Sequence, residues 1–126
     1  MKAIDGLISS GCDRTKVVVG LPVYGRHGKT PHVVKTYSEI ADEFIKEMKP
    51  NQDDLMSLSQ YKGILFDSPK MIQRKAEMVL ERGLKGVFFW EIGQDFYSHS
   101  NFPGGLLLQS TSKLSNILIE NSKDEL

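Results

Sequence analysis

The sequence predicts an α/β fold with parallel strand pairing, on the basis of three observations. Two runs, KVVVGLPVYG at 16–25 and GVFFWEIGQD at 86–95, are rich in β-branched and aromatic residues without regular polar alternation. Strands of this composition are typical of parallel sheets whose two faces are both buried. Segments with helical spacing of apolar residues lie before, between and after the two runs. Helices that alternate with buried strands indicate the α/β class.

The first element is predicted as a helix over residues 2–10, which Gly11 ends at a C-cap position. Its apolar residues share one helical face: Ile4, Leu7 and Ile8. The strand that follows has Pro22 near its end, because proline has no N–H to donate to a sheet. Residues 24–28 are then predicted to form a loop.

A second helix is predicted to start at the segment TYSE at 36–39, which has the S/T-x-x-E form of a capping box. Apolar residues follow at helical spacing: Ile40, Ala41, Phe44, Ile45 and Met48. Pro50 ends this helix because proline cannot continue it. Residues 51–60 are polar and are predicted to form a loop.

A third helix is predicted after the short apolar run GILFD at 63–67. Ser68 is its N-cap, and Pro69 lies in its first turn, where a missing N–H costs nothing. Its buried face contains Ile72, Ala76, Val79 and Leu80. Gly83 ends it, the second strand follows at 86–91, and a last helix is predicted over roughly 110–120 from Leu114, Ile117 and Leu118.

Composition and charge exclude several classes of partner. Lys and Arg total 16 and Asp and Glu total 16, so the net charge is zero and no nucleic-acid partner is expected. No apolar run approaches the ~20 residues that a membrane span needs. Cys12 is the only cysteine, which excludes an internal disulfide and a cysteine-rich zinc site. The histidines are scattered through predicted loops, so no metal site is expected: His27, His32 and His99. No cofactor is expected either.

The two predicted strands do not make a complete sheet by themselves. A parallel pair needs both faces buried and leaves two uncovered edges. We therefore expect the chain to be part of a larger α/β protein. In a (β/α)8 barrel of ~250 residues, about half of the domain would lie outside it. Active sites of such barrels lie at the carboxyl ends of the strands, which here are Trp90 with Glu91, and Tyr24 with Arg26.

Both strand ends resemble glycoside hydrolase family 18, the chitinases and chitinase-like proteins. The run KVVVGLPVYGR is similar to the seventh barrel strand of that family, G-x-P-x-Y-G-R, and GVFFWEIGQD to its eighth, G-V-x-x-W-x-x-G-Q-D. The segment FDSPKMIQRKAEMVLERGLKG between them resembles the seventh helix. The resemblance covers residues 2–120. It implies the C-terminal portion of a (β/α)8 TIM barrel, with strands seven and eight, flanking helices and a short insertion at 27–60.

The resemblance also implies a sugar-binding site. Trp90 matches the tryptophan that forms the floor of a sugar subsite, where an indole face stacks on a pyranose. Tyr24 and Arg26 match residues that line the same cleft, so the expected partner is chitin or an N-acetylglucosamine oligosaccharide. The residues after Trp90 are expected to support the strand end or hold its loop: Glu91, Gln94 and Asp95. Two alternatives remain: a strand tryptophan is often a core residue, and Tyr24 with Arg26 equally suits a strand-end turn.

No catalytic residue is expected in this chain. Catalysis in the family depends on a D-x-x-D-x-D-x-E run at the end of the fourth strand. Its glutamate protonates the leaving oxygen while the acetamido group of the substrate attacks the anomeric carbon, one of the exceptions to the two-carboxylate scheme. The chain contains no D-x-D-x-E in any frame.

Three functions remain compatible with these residues. The first is the C-terminal part of a chitinase-type hydrolase that acts on β-1,4-linked N-acetylglucosamine polymers by a substrate-assisted, retaining mechanism. The second is a non-catalytic chitinase-like lectin, which keeps the aromatic platform without the acid. The third is a free-standing α/β interaction domain that has lost the sugar site.

The polar tail at 121–126 ends in KDEL, an address read by the receptor that retrieves proteins to the endoplasmic reticulum: Lys123, Asp124, Glu125 and Leu126. The segment MKAIDGLISSG at 1–11 lacks the long apolar core and the cleavage site of a signal peptide. We therefore expect the KDEL receptor as a partner, the lumen of the endoplasmic reticulum as the location, and a signal peptide upstream of these residues. A secreted protein is the alternative if the tetrapeptide is only a charged tail.

Overall fold

The computed structural model describes residues 2–97 and 105–111 of the 126-residue chain. Its elements, in chain order, are helix α1 (Lys2–Ser9), a 3-10 turn (Arg14–Lys16), strands β1 (Val18–Pro22), β2 (Tyr24–His27) and β3 (Val34–Thr36), helices α2 (Tyr37–Met48) and α3 (Gln52–Ser57), strands β4 (Gln60–Tyr61) and β5 (Ile64–Leu65), helix α4 (Pro69–Glu81), strand β6 (Gly86–Trp90), a 3-10 turn (Ile92–Gln94) and helix α5 (Leu106–Gln109). Most of the helix predicted over 110–120 lies outside the described residues.

Side-chain caps begin two of the helices where the sequence predicts them. The Thr36 hydroxyl accepts a hydrogen bond from the Glu39 N–H at 3.1 Å before α2, and the Ser68 hydroxyl accepts one from the Met71 N–H at 3.0 Å before α4. After α1, Gly11 adopts a φ of +101°, a left-handed conformation that glycine reaches without a steric penalty. These local predictions are confirmed because each depends on neighbouring residues alone.

The strands form two sheets of different kinds. β1 and β6 pair in parallel, from Val18 opposite Gly86 to Pro22 opposite Trp90. The other four strands form an antiparallel sheet in the order β3-β2-β5-β4. The parallel pair, with helices packed on it, confirms the predicted α/β class and the predicted pairing direction.

The segment predicted as a loop at 24–28 is instead an inner strand of the antiparallel sheet. β2 pairs with β3 on one side and with β5 on the other. Gly25 makes this possible, because an added Cβ would lie 2.4 Å from the Ile64 side chain and 2.8 Å from the Ile40 side chain. Gly25, which lies within the predicted loop, is therefore a point of close packing within a sheet.

The polar segment 51–60 is also not the loop that the sequence predicts, because it contains helix α3. Asn51 caps this helix by accepting a hydrogen bond from the Asp54 N–H at 2.8 Å, and Leu55 is its buried residue. One buried apolar side chain is too weak a signal for helical periodicity. The predicted insertion at 27–60 thus holds β3, α2, α3 and the start of β4, while its sheet also includes β2 and β5.

Within the described residues the parallel strands are buried on one face only, so this part of the chain does not provide the predicted burial on both faces. Alternate residues along β1 join a core with apolar residues of α1 and α4: Val17, Val19, Leu21, Val23, Ile4, Ile72, Ala76 and Val79. The opposite face is open, since Val18, Phe88 and Trp90 are 41%, 52% and 66% exposed. Successive side chains of a strand point to opposite faces, so this apolar face needs covering from outside the described residues.

Candidate functional site

The carboxyl ends of β1 and β6 meet at one edge of the parallel pair. Pro22, the last residue of β1, lies opposite Trp90, the last residue of β6. The Val23 N–H donates to the Trp90 carbonyl at 3.0 Å, and the Val23 carbonyl accepts from the Tyr37 N–H, also at 3.0 Å. Through these two hydrogen bonds Val23 joins both strand ends to the first turn of α2. Its side chain is completely buried.

Trp90 presents its side chain at that edge instead of packing it in the core. The residue is 66% exposed, and the peptide bond between Trp90 and Glu91 is cis. The preceding residue, Phe89, packs against the core. Trp90 is therefore not part of the core that the described residues form, while its role in a larger protein stays a prediction. An exposed indole can stack on the apolar face of a ligand while its N–H remains available as a donor.

An open pocket of about 280 Å³ lies beside this strand end. It is lined by residues of β1, β2 and the end of β5: Pro22, Tyr24, Arg26, Leu65, Phe66 and Asp67. The guanidinium carbon of Arg26 lies 5.8 Å from the centre of the Tyr24 ring, and Arg26 donates to the Pro31 carbonyl at 2.5 Å. Because both residues belong to β2, the alternative of a strand-end turn is wrong. Pro22 connects the pocket to Trp90, its pairing partner.

Asp67 lines the pocket although no sequence pattern singles it out. It follows β5 closely, and Lys75 on α4 donates to its Oδ2 at 2.5 Å. Both side chains are largely buried, with exposed fractions of 19% for Asp67 and 26% for Lys75. The only signal in the sequence is a carboxylate just before the cap residue Ser68. Acidic residues are common near the start of any helix, so this signal does not indicate a site.

Asp95 is a buried carboxylate that joins the segment after β6 to α5. It is 1% exposed, and its Oδ1 accepts from the N–H groups of Phe96 and Leu107 at 2.7 and 2.9 Å. Its Oδ2 accepts from the Leu108 N–H at 2.9 Å. Burial raises the pKa of Asp95, although the three N–H donors favour the charged form. The carboxylate therefore satisfies the backbone at the start of α5.

The other two residues that the sequence places after Trp90 differ in burial, because Glu91 is exposed and Gln94 is partly buried. The Glu91 carbonyl accepts from the Gln94 N–H at 3.0 Å. The Gln94 Oε1 and the Tyr37 hydroxyl are buried without a hydrogen-bond partner among residues 2–97 and 105–111. Burial, and secondly the negative charge of Asp95, raise the pKa of Tyr37. Glu91, Gln94 and Asp95 are not among the residues that line the pocket.

The described part of the chain contains no group of three or more His, Cys, Asp or Glu side chains placed to hold a metal ion. His27 serves a turn, since its Nδ1 accepts from the N–H groups of Lys29 and Thr30 at 3.1 Å. Within residues 2–97 and 105–111, no helix has the length and apolar character needed to cross a bilayer. His99 and the tetrapeptide at 123–126 lie outside the described residues.

Comparisons with known proteins agree on one family. The family model of the glycosyl hydrolases family 18 matches residues 1–95. The class V chitinase CHIT5 of Lotus japonicus is 34% identical over 116 residues, an alignment that covers 73% of this chain and 29% of that protein.

Two solved structures have a similar fold. A group II chitinase catalytic domain of Ostrinia furnacalis, in complex with penta-N-acetylchitooctaose, matches with a TM-score of 0.63 at 20% identity, covering 86% of this chain and 36% of that chain. The chitinase-like agglutinin of Robinia pseudoacacia matches with a TM-score of 0.60 at 24% identity, covering 86% of this chain and 35% of that chain. The chain thus spans about a third of the length of the proteins that it matches.

Proposed function

The chain belongs to the glycosyl hydrolases family 18, and from this premise we propose that it forms part of the substrate cleft of a chitinase-type hydrolase. The proposed ligand is a polymer or oligomer of β-1,4-linked N-acetylglucosamine. The observation that carries the proposal is the exposed side chain of Trp90 at the carboxyl end of β6, next to the pocket that contains Tyr24 and Arg26. A chitinase relative and a similar fold solved with a chitin oligosaccharide support it.

In this proposal β1 and β6 are the seventh and eighth strands of a (β/α)8 barrel, within a domain at 2–120. Barrel strands turn one face to the surrounding helices and the other to the interior. The buried face of β1 against α1 and α4, and the open apolar face opposite, support that arrangement. Trp90 then lies at the carboxyl-end rim, where barrel enzymes bind their substrates.

Each side chain of the proposed cleft has a chemical task. The Trp90 indole packs on the C–H face of a pyranose and can donate its N–H. Arg26 has five N–H donors, and within the described residues only the bond to Pro31 is in use, so it can donate to sugar hydroxyl or acetamido oxygens. The Tyr24 hydroxyl can donate or accept. Because the ligand is uncharged, hydrogen bonds at fixed positions orient it.

Cleavage in the proposed hydrolase needs a general acid that these residues do not supply, because the chain contains no D-x-D-x-E run. In the proposed mechanism Trp90, Tyr24 and Arg26 bind and orient the sugar. An acid elsewhere in the protein protonates the leaving oxygen, and the acetamido group of the substrate attacks. General acid catalysis contributes about a hundredfold to ten-thousandfold in rate, so its loss abolishes useful turnover.

A second candidate function is carbohydrate binding without hydrolysis. The similar fold of a chitinase-like agglutinin favours it, since the same cleft then serves a lectin. The two functions differ in whether the protein retains the acid, not in the residues of the cleft. An interaction domain without a sugar site is less well supported, because it does not explain an exposed tryptophan beside a pocket that contains Tyr24 and Arg26.

We expect the full-length protein to bind chitin pentasaccharide and to hydrolyse a chromogenic chitobioside, whereas residues 1–126 alone give no turnover because they lack the acid. Calorimetric titration measures binding, and chromophore release measures hydrolysis. Turnover by residues 1–126 that is abolished by replacing one of their own carboxylates would contradict the assignment. Binding without turnover in the full-length protein would favour the lectin. Absence of both would show that the proposed function is wrong.

We also propose that the tetrapeptide at 123–126 retains the protein in the endoplasmic reticulum by binding the KDEL receptor. The polar composition of 121–126 supports access of the receptor to the tail. The full-length protein is expressed with and without residues 123–126, the KDEL tetrapeptide. We expect the complete form in the cell lysate and the shortened form in the medium. Equal secretion of both forms would indicate an ordinary secreted protein with a charged tail.

A further inference from the structure

We propose that Asp67 is a further sugar-binding residue of the cleft and that Lys75 positions it. This inference rests on the proposed function, because it assigns a hydrogen-bond acceptor to the same pocket. Asp67 lines that pocket together with Tyr24 and Arg26, and 19% of its side chain is exposed. A largely buried carboxylate at the wall of a pocket is held in one orientation, which is what recognition of a ligand requires.

The Asp67 carboxylate has one oxygen in use and one available. Lys75 donates to Oδ2 at 2.5 Å, and within residues 2–97 and 105–111 this is the only hydrogen bond that the carboxylate accepts. An ionised carboxylate has about four lone-pair sites, so Oδ1 keeps its full capacity to accept. The ammonium group of Lys75 also balances the negative charge, so the pocket does not require a cationic ligand.

The pocket therefore offers a fixed donor and a fixed acceptor. Arg26 on β2 pairs with Leu65 on β5, and Asp67 follows two residues after Leu65. The ladder between these strands fixes the backbone positions of Arg26 and of the segment that leads to Asp67, and both side chains line the pocket. Phe66 forms an apolar part of the wall and packs on the Tyr37 ring, with 5.9 Å between ring centres.

A neutral sugar that carries hydroxyl and acetamido groups fits this combination. Its hydroxyl or amide N–H groups can donate to Asp67, while its oxygen atoms can accept from Arg26. Hydrogen bonds to ionised groups are shorter and stronger than those between neutral groups. The geometry thus assigns Asp67 to recognition of the N-acetylglucosamine unit that lies in this pocket, in addition to the unit that stacks on Trp90.

In the full-length protein, Asp67→Asn turns its amide oxygen to the Lys75 donor and places an NH2 group where Oδ1 accepts. We expect this variant to bind chitin pentasaccharide about tenfold to a hundredfold more weakly, the usual effect of losing one hydrogen bond to a charged group. The matched control is Asp42→Asn, because Asp42 pairs with Lys46 at 3.0 Å on the exposed side of α2, away from the pocket. It should leave the affinity unchanged. Lys75→Met keeps the acceptor and should weaken binding less than Asp67→Asn does.

Titration calorimetry and thermal unfolding of the same variants separate binding from stability. Unchanged affinity in Asp67→Asn, with weaker binding in Trp90→Ala, would overturn this inference while leaving the proposed function intact. Equal losses of affinity and of stability in Asp67→Asn and Lys75→Met would also overturn it, because the ion pair would then only stabilise the chain segment. If the unmodified protein does not bind the pentasaccharide, the proposed function itself is wrong.

Discussion

Replacing Trp90 by alanine in the full-length protein is expected to weaken the binding of chitin pentasaccharide by about 2 to 4 kcal/mol, the usual loss for an aromatic residue at the centre of a binding site. In terms of Kd this is roughly thirtyfold to several hundredfold. Trp90 is 66% exposed, so its removal leaves no cavity in the described core and should change the free energy of unfolding little. Titration calorimetry measures the affinity, and denaturant unfolding measures the stability.

Phe89→Ala is the matched control for Trp90→Ala, because adjacent side chains of a strand point to opposite faces. Phe89 packs against the core, so its loss should lower stability and leave oligosaccharide affinity nearly unchanged. Trp90→Phe should retain part of the affinity, because it keeps a flat ring and loses the indole N–H. An affinity for the pentasaccharide that does not change in Trp90→Ala would show that this side chain is not the floor of a subsite.

Replacing Asp95 by alanine is expected to lower the free energy of unfolding by about 3 to 4 kcal/mol, because three backbone N–H groups lose their acceptor and at least about 1 kcal/mol is lost for each. These donors include the first turn of α5, where Leu106 and Leu107 are buried. The chain is built closely around this carboxylate, since a Cβ added to Gly105 would lie 2.6 Å from Asp95 Oδ2. Denaturant unfolding of the full-length protein measures the change.

Two further variants test the reason for this loss. Asp95→Asn keeps an oxygen for two of the donors and presents an amide N–H to Leu108, so it should cost less than alanine does. Asp42→Ala removes an exposed carboxylate and should change the stability by no more than about 0.5 kcal/mol. A small effect of Asp95→Ala, similar to that of Asp42→Ala, would contradict a role of Asp95 in holding α5.

The stability that Asp95 contributes is expected to fall as pH rises. Burial raises the pKa of Asp95, so the folded state binds its proton more tightly than the unfolded state does. The extra stability that comes from this raised pKa is complete below the ordinary aspartate value of about 3.9 and is lost as pH rises through the raised pKa, whereas the carboxylate still accepts from the three N–H groups. The loss caused by Asp95→Ala should therefore be larger at about pH 3.5 than at about pH 7. The opposite trend would contradict the raised pKa.

Much of the local structure could be predicted because it depends on residues that are close in sequence. Thr36 and Ser68 cap their helices by accepting hydrogen bonds from residues three positions later, so a four-residue segment is enough to predict each helix start. The regions that were not predicted depend on distant contacts. β2 exists because Gly25 lets Ile40 and Ile64 approach it, and neither contact is visible in the letters at 24–28.

In the candidate site, too, some residues could be predicted from local motifs, whereas others are placed only by contacts between distant segments. Trp90, Tyr24 and Arg26 could be named from their motifs, since a strand-end pattern preserves the residue types that a cleft uses. Asp67 could not, because its place in the pocket with Arg26 depends on the pairing of β2 with β5, in which Arg26 pairs with Leu65, 39 positions later in the chain. Lys75 likewise meets Asp67 only when α4 has packed on the strands.

The sequence alone therefore determined the family, the α/β class, the two parallel strands and the residue types at their carboxyl ends, because motifs and helix caps are local patterns. The tertiary structure decided which face of each strand is covered, that Trp90 is exposed while Phe89 packs against the core, and that Asp67 lines the pocket. Apolar composition measures how readily a residue leaves water. It does not specify which neighbour covers that residue, and only the packing of distant segments provides the neighbour.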